Sequence, residues 1–187
     1  MSVQTITSKN NNDILFEGVF ESFTACMEAA ICENVDLSHA DLRHKNLALA
    51  NLDDARIKYA DFTGSNLNGA NLSEADLSGS IFSNANLYNT CFAYSDLQHC
   101  HFAYSNFGAT DIAASTLSFS IFSGLSCFSL NFFDAKAMQD CIFNGPNGET
   151  MRTSEPPIVI KGLKSTPIIL MSKQIKPQDS RPLVEYF

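Results

Sequence analysis

The sequence predicts a repeat fold, in which short similar units stack and each buries its apolar residue only against the next. Three observations carry this. From Leu37 to Phe122 every fifth residue is Leu, Ile or Phe, 18 positions in succession. A period of five serves neither a helix, with 3.6 residues per turn, nor a strand, with two. Two places before each such residue from Leu42 on stands a small one, as at Ala40, Ala55, Ser65, Ser80, Thr90 and Cys100, with Lys45 the exception. One place before it is usually Asp or Asn, as at Asp41, Asn46, Asn51, Asp61, Asn66 and Asp76.

The unit is thus Ala-Asp/Asn-Leu-x-x, which resembles the pentapeptide-repeat family. Ala70-Asn71-Leu72-Ser73-Glu74 and Ala75-Asp76-Leu77-Ser78-Gly79 match it closely, and the resemblance runs over residues 35–144. It implies an all-β fold, a right-handed quadrilateral β-solenoid with one pentapeptide per side and twenty residues per coil. Central and small residues point inward, and Asp and Asn suit the corners because they tolerate turns and bond nearby backbone. Coils at strand spacing, roughly 4.8 Å, would make the 22 pentapeptides from Val35 to Asn144 a rod of five and a half coils, roughly 26 Å long.

Reading every twentieth residue predicts the interior columns. One is Leu42, Phe62, Phe82, Phe102, Phe122, Ile142; another ends at Leu117 and Ala137; a third ends at Phe107 and Cys127. The Phe ladder reads as core, and Cys127 and Ala137 predict an underfilled last coil. Cys100 and Cys127 take inward positions, while Cys91 and Cys141 take Asp/Asn positions.

Before the coils, residues 1–12 are polar and are expected to be disordered. Residues 13–34 hold a short strand over 13–20 and a helix over 22–33, with Ser22 as N-cap and Phe23, Met27, Ala30 and Ile31 on one face. A solenoid end exposes apolar interior and strand edges, so this strand and helix are expected to cap it. After the coils, Asn144-Gly145-Pro146-Asn147-Gly148 reads as a turn. The tail, 145–187, carries two strand-like runs, Ile158–Ile160 and Ile168–Met171, and six basic against four acidic residues. Leu15-Phe16-Glu17-Gly18 before the repeats and Pro156-Pro157-Ile158-Val159-Ile160 after them resemble a bacterial and phage-borne subgroup of the family, which implies no particular activity.

Phe119, Phe128, Phe133 and Phe143 fall at outward positions of the period and predict an apolar patch near the C-terminal end. Such a patch serves as a docking place for the tail, as a homodimer interface, or as both if tails exchange between protomers.

The chain carries a net charge of −8, which argues against nucleic acid as a direct ligand. No Lys or Arg occurs between Lys58 and Lys136, and residues 35–144 hold 11 acids against 5 bases. Asp53, Asp54, Glu74, Asp76, Asp96 and Asp111 form the candidate acidic partner surface. A negative rod of near-duplex girth competes for surfaces built to neutralise phosphates. The family resemblance implies the same: pentapeptide-repeat proteins include DNA mimics that bind topoisomerases and protect or inhibit DNA gyrase. This chain departs from such relatives in having no inserted loop between Leu37 and Phe122, and bases at Arg43, Lys45, Arg56 and Lys58. Two further readings are a structural or adaptor scaffold acting through the Phe patch and tail, and a phage or plasmid anti-defence factor acting by mimicry.

Enzymatic readings find no support. His39, His44 and His99 fall at outward corners, with His39 and His99 three coils apart, roughly 14 Å at strand spacing, too far to share a metal. There is no nucleophile elbow, phosphate loop or dinucleotide fingerprint. No catalytic residue, metal or cofactor is expected. Outward Tyr59, Tyr88, Tyr94 and Tyr104 read as surface residues. Six cysteines outside metal or disulfide spacing, with no signal peptide and no apolar run long enough to span a membrane, predict a reducing cytoplasm.

Overall fold

The computed structural model describes residues 1–145, 148–160 and 168–170. Its centre is a β-solenoid. Isolated parallel bridges join residues twenty apart in four ladders: Asp41–Asp61–Ile81–His101, Asn46–Asn66–Asn86–Asn106, Asn51–Asn71–Cys91–Asp111 and Arg56–Asp76–Asp96–Thr116. From Leu37 to Leu97 the N–H of each central residue donates to a carbonyl nineteen residues on, as Leu42 to Asp61 at 2.9 Å and Phe62 to Ile81 at 2.7 Å. Backbone polar groups are thereby satisfied between coils rather than within a helix or a wide sheet.

Each position of the repeat has its own cause. The central residues from Leu37 to Phe122 are all buried. Phe62, Phe82, Phe102 and Phe122 stack with ring centroids 4.8, 5.1 and 5.1 Å apart and planes within 9°. The small position lies where the chain turns inward, and several of its hydroxyls bond to the preceding coil: Thr90 to the Leu67 carbonyl at 2.8 Å, Ser105 to Phe82 at 2.7 Å, Ser120 to Leu97 at 2.6 Å. Lys45 breaks the small-residue rule beside the cap, where its ammonium lies 4.5 Å from the centre of the Phe23 ring.

The Asp/Asn position is the bridging residue. Its carboxylate or amide oxygen accepts the N–H two residues on, as Asp61 from Thr63 at 2.9 Å, and amides also link between coils, Asn66 to Asn46 at 3.0 Å and Asn86 to Asn66 at 3.1 Å. The left-handed turn falls two places after the centre instead. There φ is positive at every fifth residue from Asn34 to Gly124, in His, Tyr, Leu, Asp and Glu as well as Asn and Gly. A non-glycine residue there costs roughly 1–2 kcal/mol, offset by the stacking of the coils.

The period slips by one residue in the last coil. Phe122 pairs with Phe143, and Thr116 bridges Ala137, both twenty-one apart; the left-handed residue moves to Asp140. Cys127 and Phe132 keep their strict inward places, so the extra residue enters between Phe132 and Met138, where a short 3₁₀ helix runs over Phe132–Asp134; another stands before it at Leu125–Ser129. Several expectations change as a result. Phe143, not Ile142, continues the Phe ladder; Met138, not Ala137, fills its column; Cys141 is a buried small-position residue whose Sγ donates to the Leu117 carbonyl at 3.1 Å. In strict register Asp140 would take that inward place, and an unpaired buried carboxylate is far costlier than a shifted loop.

The ends are closed differently. Residues expected to be disordered include β1, Ser2–Thr7, which pairs antiparallel with β2, Ile14–Phe20. Polar side chains do not prevent this, because the ladder is made by backbone and Ile6 supplies a buried anchor. Helix α1, Phe23–Cys32, starts at Ser22, whose Oγ accepts the Ala25 N–H at 3.1 Å, and buries Cys26, Met27 and Ala30. Three edges of the first coil are occupied: Thr7 and Lys9 bond to Asp41 and His39, Thr24 donates to the Asn46 carbonyl, and Glu28 accepts from the Asn51 N–H.

At the other end β3, His101–Ala103, β4, Ile121–Ser123, and β5, Cys141–Asn144, are parallel. The chain then turns back as β6, Thr150–Thr153, antiparallel to β5, a strand the sequence pattern did not mark. β7, Ile158–Ile160, and β8, Ile168–Leu170, form a separate antiparallel pair. Pro146, Asn147 and Met171 lie outside the described residues.

Candidate interaction surfaces

The ladders sort the acidic side chains by face. Asp53, Asp54, Glu74 and Asp111 lie on the Asn51 face, and all four are exposed. No Lys or Arg stands among residues 51–54, 71–74, 91–94 and 111–114 of that face. Asp53 accepts a hydrogen bond from the Ser73 hydroxyl at 2.6 Å, so stacked coils pre-order part of this surface.

Asp76 and Asp96 lie on the adjoining Arg56 face and are half-buried. Asp76 is paired with Lys58 at 2.8 Å. Burial works against its charge, but the hydrogen bonds from Lys58 and Ser78 outweigh it and lower its pKa below the ordinary carboxylate value. Asp76 therefore presents less net charge than its sequence position suggests. On the Asp41 face, Arg43 pairs with Asp41 at 2.6 Å and approaches Asp61 at 3.9 Å. The Asn46 face holds no Asp, Glu, Lys, Arg or His at 46–49, 66–69, 86–89 or 106–109. Among the described residues, one face in four thus carries acids with no Lys or Arg in its own pentapeptides.

The predicted Phe patch divides. Phe128 and Phe143 are buried, at 6% and 1% exposure, and their rings stack at 5.7 Å. The one-residue slip turns Phe143 inward, and the 3₁₀ helix rolls Phe128 onto it. Phe119 is half-buried, with its ring stacked on His99 at 4.9 Å. Phe133 alone of the four stays open, at 68% exposure, with Leu125 also exposed. Between Phe128 and Phe133 lies a depression of about 260 Å³, lined also by Ser129, Leu130, Asn131, Phe132 and Pro157. The slip of the last coil carries a signal in the chain: Met138 and Phe143 each stand one place after a poorer inward residue.

The outward tyrosines have a structural use. Tyr59, Tyr88 and Tyr104 lie over Gly79, Gly108 and Gly124 of the next coil, where a Cβ would meet the ring at 2.4, 2.5 and 3.2 Å. Among the described residues no three His, Cys, Asp or Glu side chains converge as a metal site. No described helix is long and apolar enough to cross a membrane. The thiols of Cys100, Cys127 and Cys141 are buried, and desolvation pushes the last two up to about 12 and about 11.

A family model for pentapeptide repeats matches residues 30–69 and 60–93, in eight copies. No curated protein matches the chain. Similar solved structures include a pentapeptide repeat protein from the Arabidopsis thaliana thylakoid lumen, 26% identical over 44% of this chain and 65% of that one, with a TM-score of 0.26. HetL, involved in heterocyst differentiation regulation in the cyanobacterium Nostoc, is 23% identical over 44% of this chain and 40% of its own, with a TM-score of 0.25. QnrB1, a plasmid-mediated fluoroquinolone resistance protein, is 15% identical over 51% of this chain and 56% of its own, with a TM-score of 0.30. The chain spans less than two thirds of the length of each of these structures. Across residues 30–93 this chain carries the repeats of the pentapeptide-repeat family.

Proposed function

We propose that this chain is a non-enzymatic protein-binding module whose acidic face imitates DNA, with DNA gyrase or another DNA-binding protein as its partner. The observation that supports this is the Asn51 face, where Asp53, Asp54, Glu74 and Asp111 project without a base among them. A protein surface shaped to neutralise phosphates at close spacing would also attract carboxylates displayed on stacked coils. Asp96, and in smaller measure Asp76, extend the field across the adjoining face. The reading takes the solenoid as right-handed, with about five and a half coils over 35–144, and places it in the cytoplasm with no cofactor. Its net charge of −8 disfavours direct contact with nucleic acid.

The test is gyrase binding and supercoiling with the wild-type chain and with the triple variant Asp54→Asn, Glu74→Gln, Asp111→Asn. Exposed charge pairs contribute roughly 0.5 kcal/mol each, so three should weaken binding about tenfold. The loss should shrink as salt rises. Equal affinity of the two proteins at low salt would rule this reading out. An anti-defence role for a phage or plasmid uses the same face and differs only in the partner recovered.

A second reading is a structural or adaptor scaffold that homodimerises or binds a partner through its C-terminal end. The exposure of Phe133 and Leu125 there favours it. It predicts a dimer mass in light scattering that Phe133→Ser reduces to a monomer.

A further inference from the structure

We infer that the depression beside Phe133 is the docking site of this chain's own segment 183–187, Leu-Val-Glu-Tyr-Phe. Three observations lead there. The first is where the chain leaves the described structure. Leu170 of β8 pairs with Ile158 of β7, and Pro157, the preceding residue, lines the depression. Leu170, the last described residue before the segment, thus stands beside a strand that starts at the rim of the depression. Residues 171–182 extend to roughly 40 Å, so reach is not limiting.

The second is chemistry. The depression sets Phe128, Leu130, Phe132 and Phe133 beside the polar Ser129 and Asn131. A peptide segment needs both, since its side chains seek apolar contact and its backbone seeks donors and acceptors. After Ile175 the next apolar side chains are Leu183, Val184, Tyr186 and Phe187. Their docking removes Phe133 from water.

The third is charge. Residues 145–187 hold six bases against four acids, whereas 35–144 hold 11 acids against 5 bases. The tail is attracted to the coils as a whole, and Lys173, Lys176 and Arg181 lie in the connecting stretch.

The chain contains no Trp, so Tyr186→Trp introduces a single fluorophore. In the full-length monomer its emission should be blue-shifted, and acrylamide should quench it several-fold less than in the urea-unfolded chain. Adding Phe133→Asp, or the milder Phe133→Ser, should restore solvent-like emission and quenching with the circular dichroism of the coils unchanged. Phe133 is exposed, so the coils tolerate both changes. Solvent-like emission before any second substitution overturns the proposal. So does protection that ignores both Phe133 variants, or protection found only in a dimer and lost on dilution, which would mean exchange between copies.

Discussion

Phe122 and Phe143 stack in register across twenty-one residues, with ring centroids 5.1 Å apart and planes at 16°, although every earlier step of that column is twenty. The contact is the hinge of the last coil: it decides which of two neighbouring side chains, Ile142 or Phe143, enters the core. Phe143→Ala should lower stability by about 3–5 kcal/mol, the range for a buried Phe. Ile142→Ala, at a half-buried site, should cost about 1 kcal/mol. Urea unfolding of the two variants separates the registers, and a larger loss at Ile142 would restore the strict period.

Ser65 and Ser120 occupy equivalent small positions with opposite outcomes. Ser120 donates to the Leu97 carbonyl at 2.6 Å and accepts the Cys100 N–H at 3.1 Å. The Ser65 hydroxyl is buried and, among the described residues, has no hydrogen-bond partner. Ala fills the same position at residues 50, 55, 70 and 75. Ser65→Ala should therefore raise stability by about 1 kcal/mol, and Ser120→Ala should lower it by about 1–2 kcal/mol, measured by thermal or urea unfolding.

The cysteines should divide by burial. Cys100, Cys127 and Cys141 are buried and donate to the carbonyls of Leu77, Gly124 and Leu117. Their raised pKa keeps them as thiols, and burial denies them to reagents. Iodoacetamide at pH 8 should label the exposed Cys32 first and the half-buried Cys91 next. Mass spectrometry should find Cys100, Cys127 and Cys141 unmodified until denaturant is added.

Acid should loosen the first coils. The pKa of Asp36 is lowered chiefly by hydrogen bonds from Ser38, and that of Asp41 chiefly by the hydrogen bond from Arg43. Asp76 is lowered by Lys58 and Ser78 against the opposing effect of burial. Each carboxylate is more acidic folded than unfolded, so its contribution is complete above the unfolded value, about 3.9, and is lost as pH falls through the folded one. The unfolding midpoint should be insensitive to these groups near pH 6 and should fall below about pH 4. Arg43→Gln should flatten that fall. A midpoint equally steep in the variant would exclude the Asp41 pair as its cause.

The coils were legible because their determinants are local. A pentapeptide states which residue is large, which is small and which bridges, and the stacking partner of each is another copy of the same unit. The chain could thus be read column by column from Leu37 to Phe122. The acidic residues were legible as a set, but not their division: only the ladders separate Asp53, Asp54, Glu74 and Asp111, which make no ion pair among the described residues, from Asp76, which Lys58 neutralises from the preceding coil.

β1 escaped notice because a strand held by backbone pairing needs little from its side chains, and Ile6 is its one buried anchor. The fate of Phe128 and Phe143 depended on one extra residue whose place is set by what Asp140, Met138 and Cys141 can tolerate together. The sequence by itself determined the repeat, its inward residues and its excess of negative charge, because each follows from spacing and composition. The tertiary structure alone decided the slipped last coil, the pairing of charges between coils and the depression beside Phe133, because these arise from contacts between residues far apart along the chain.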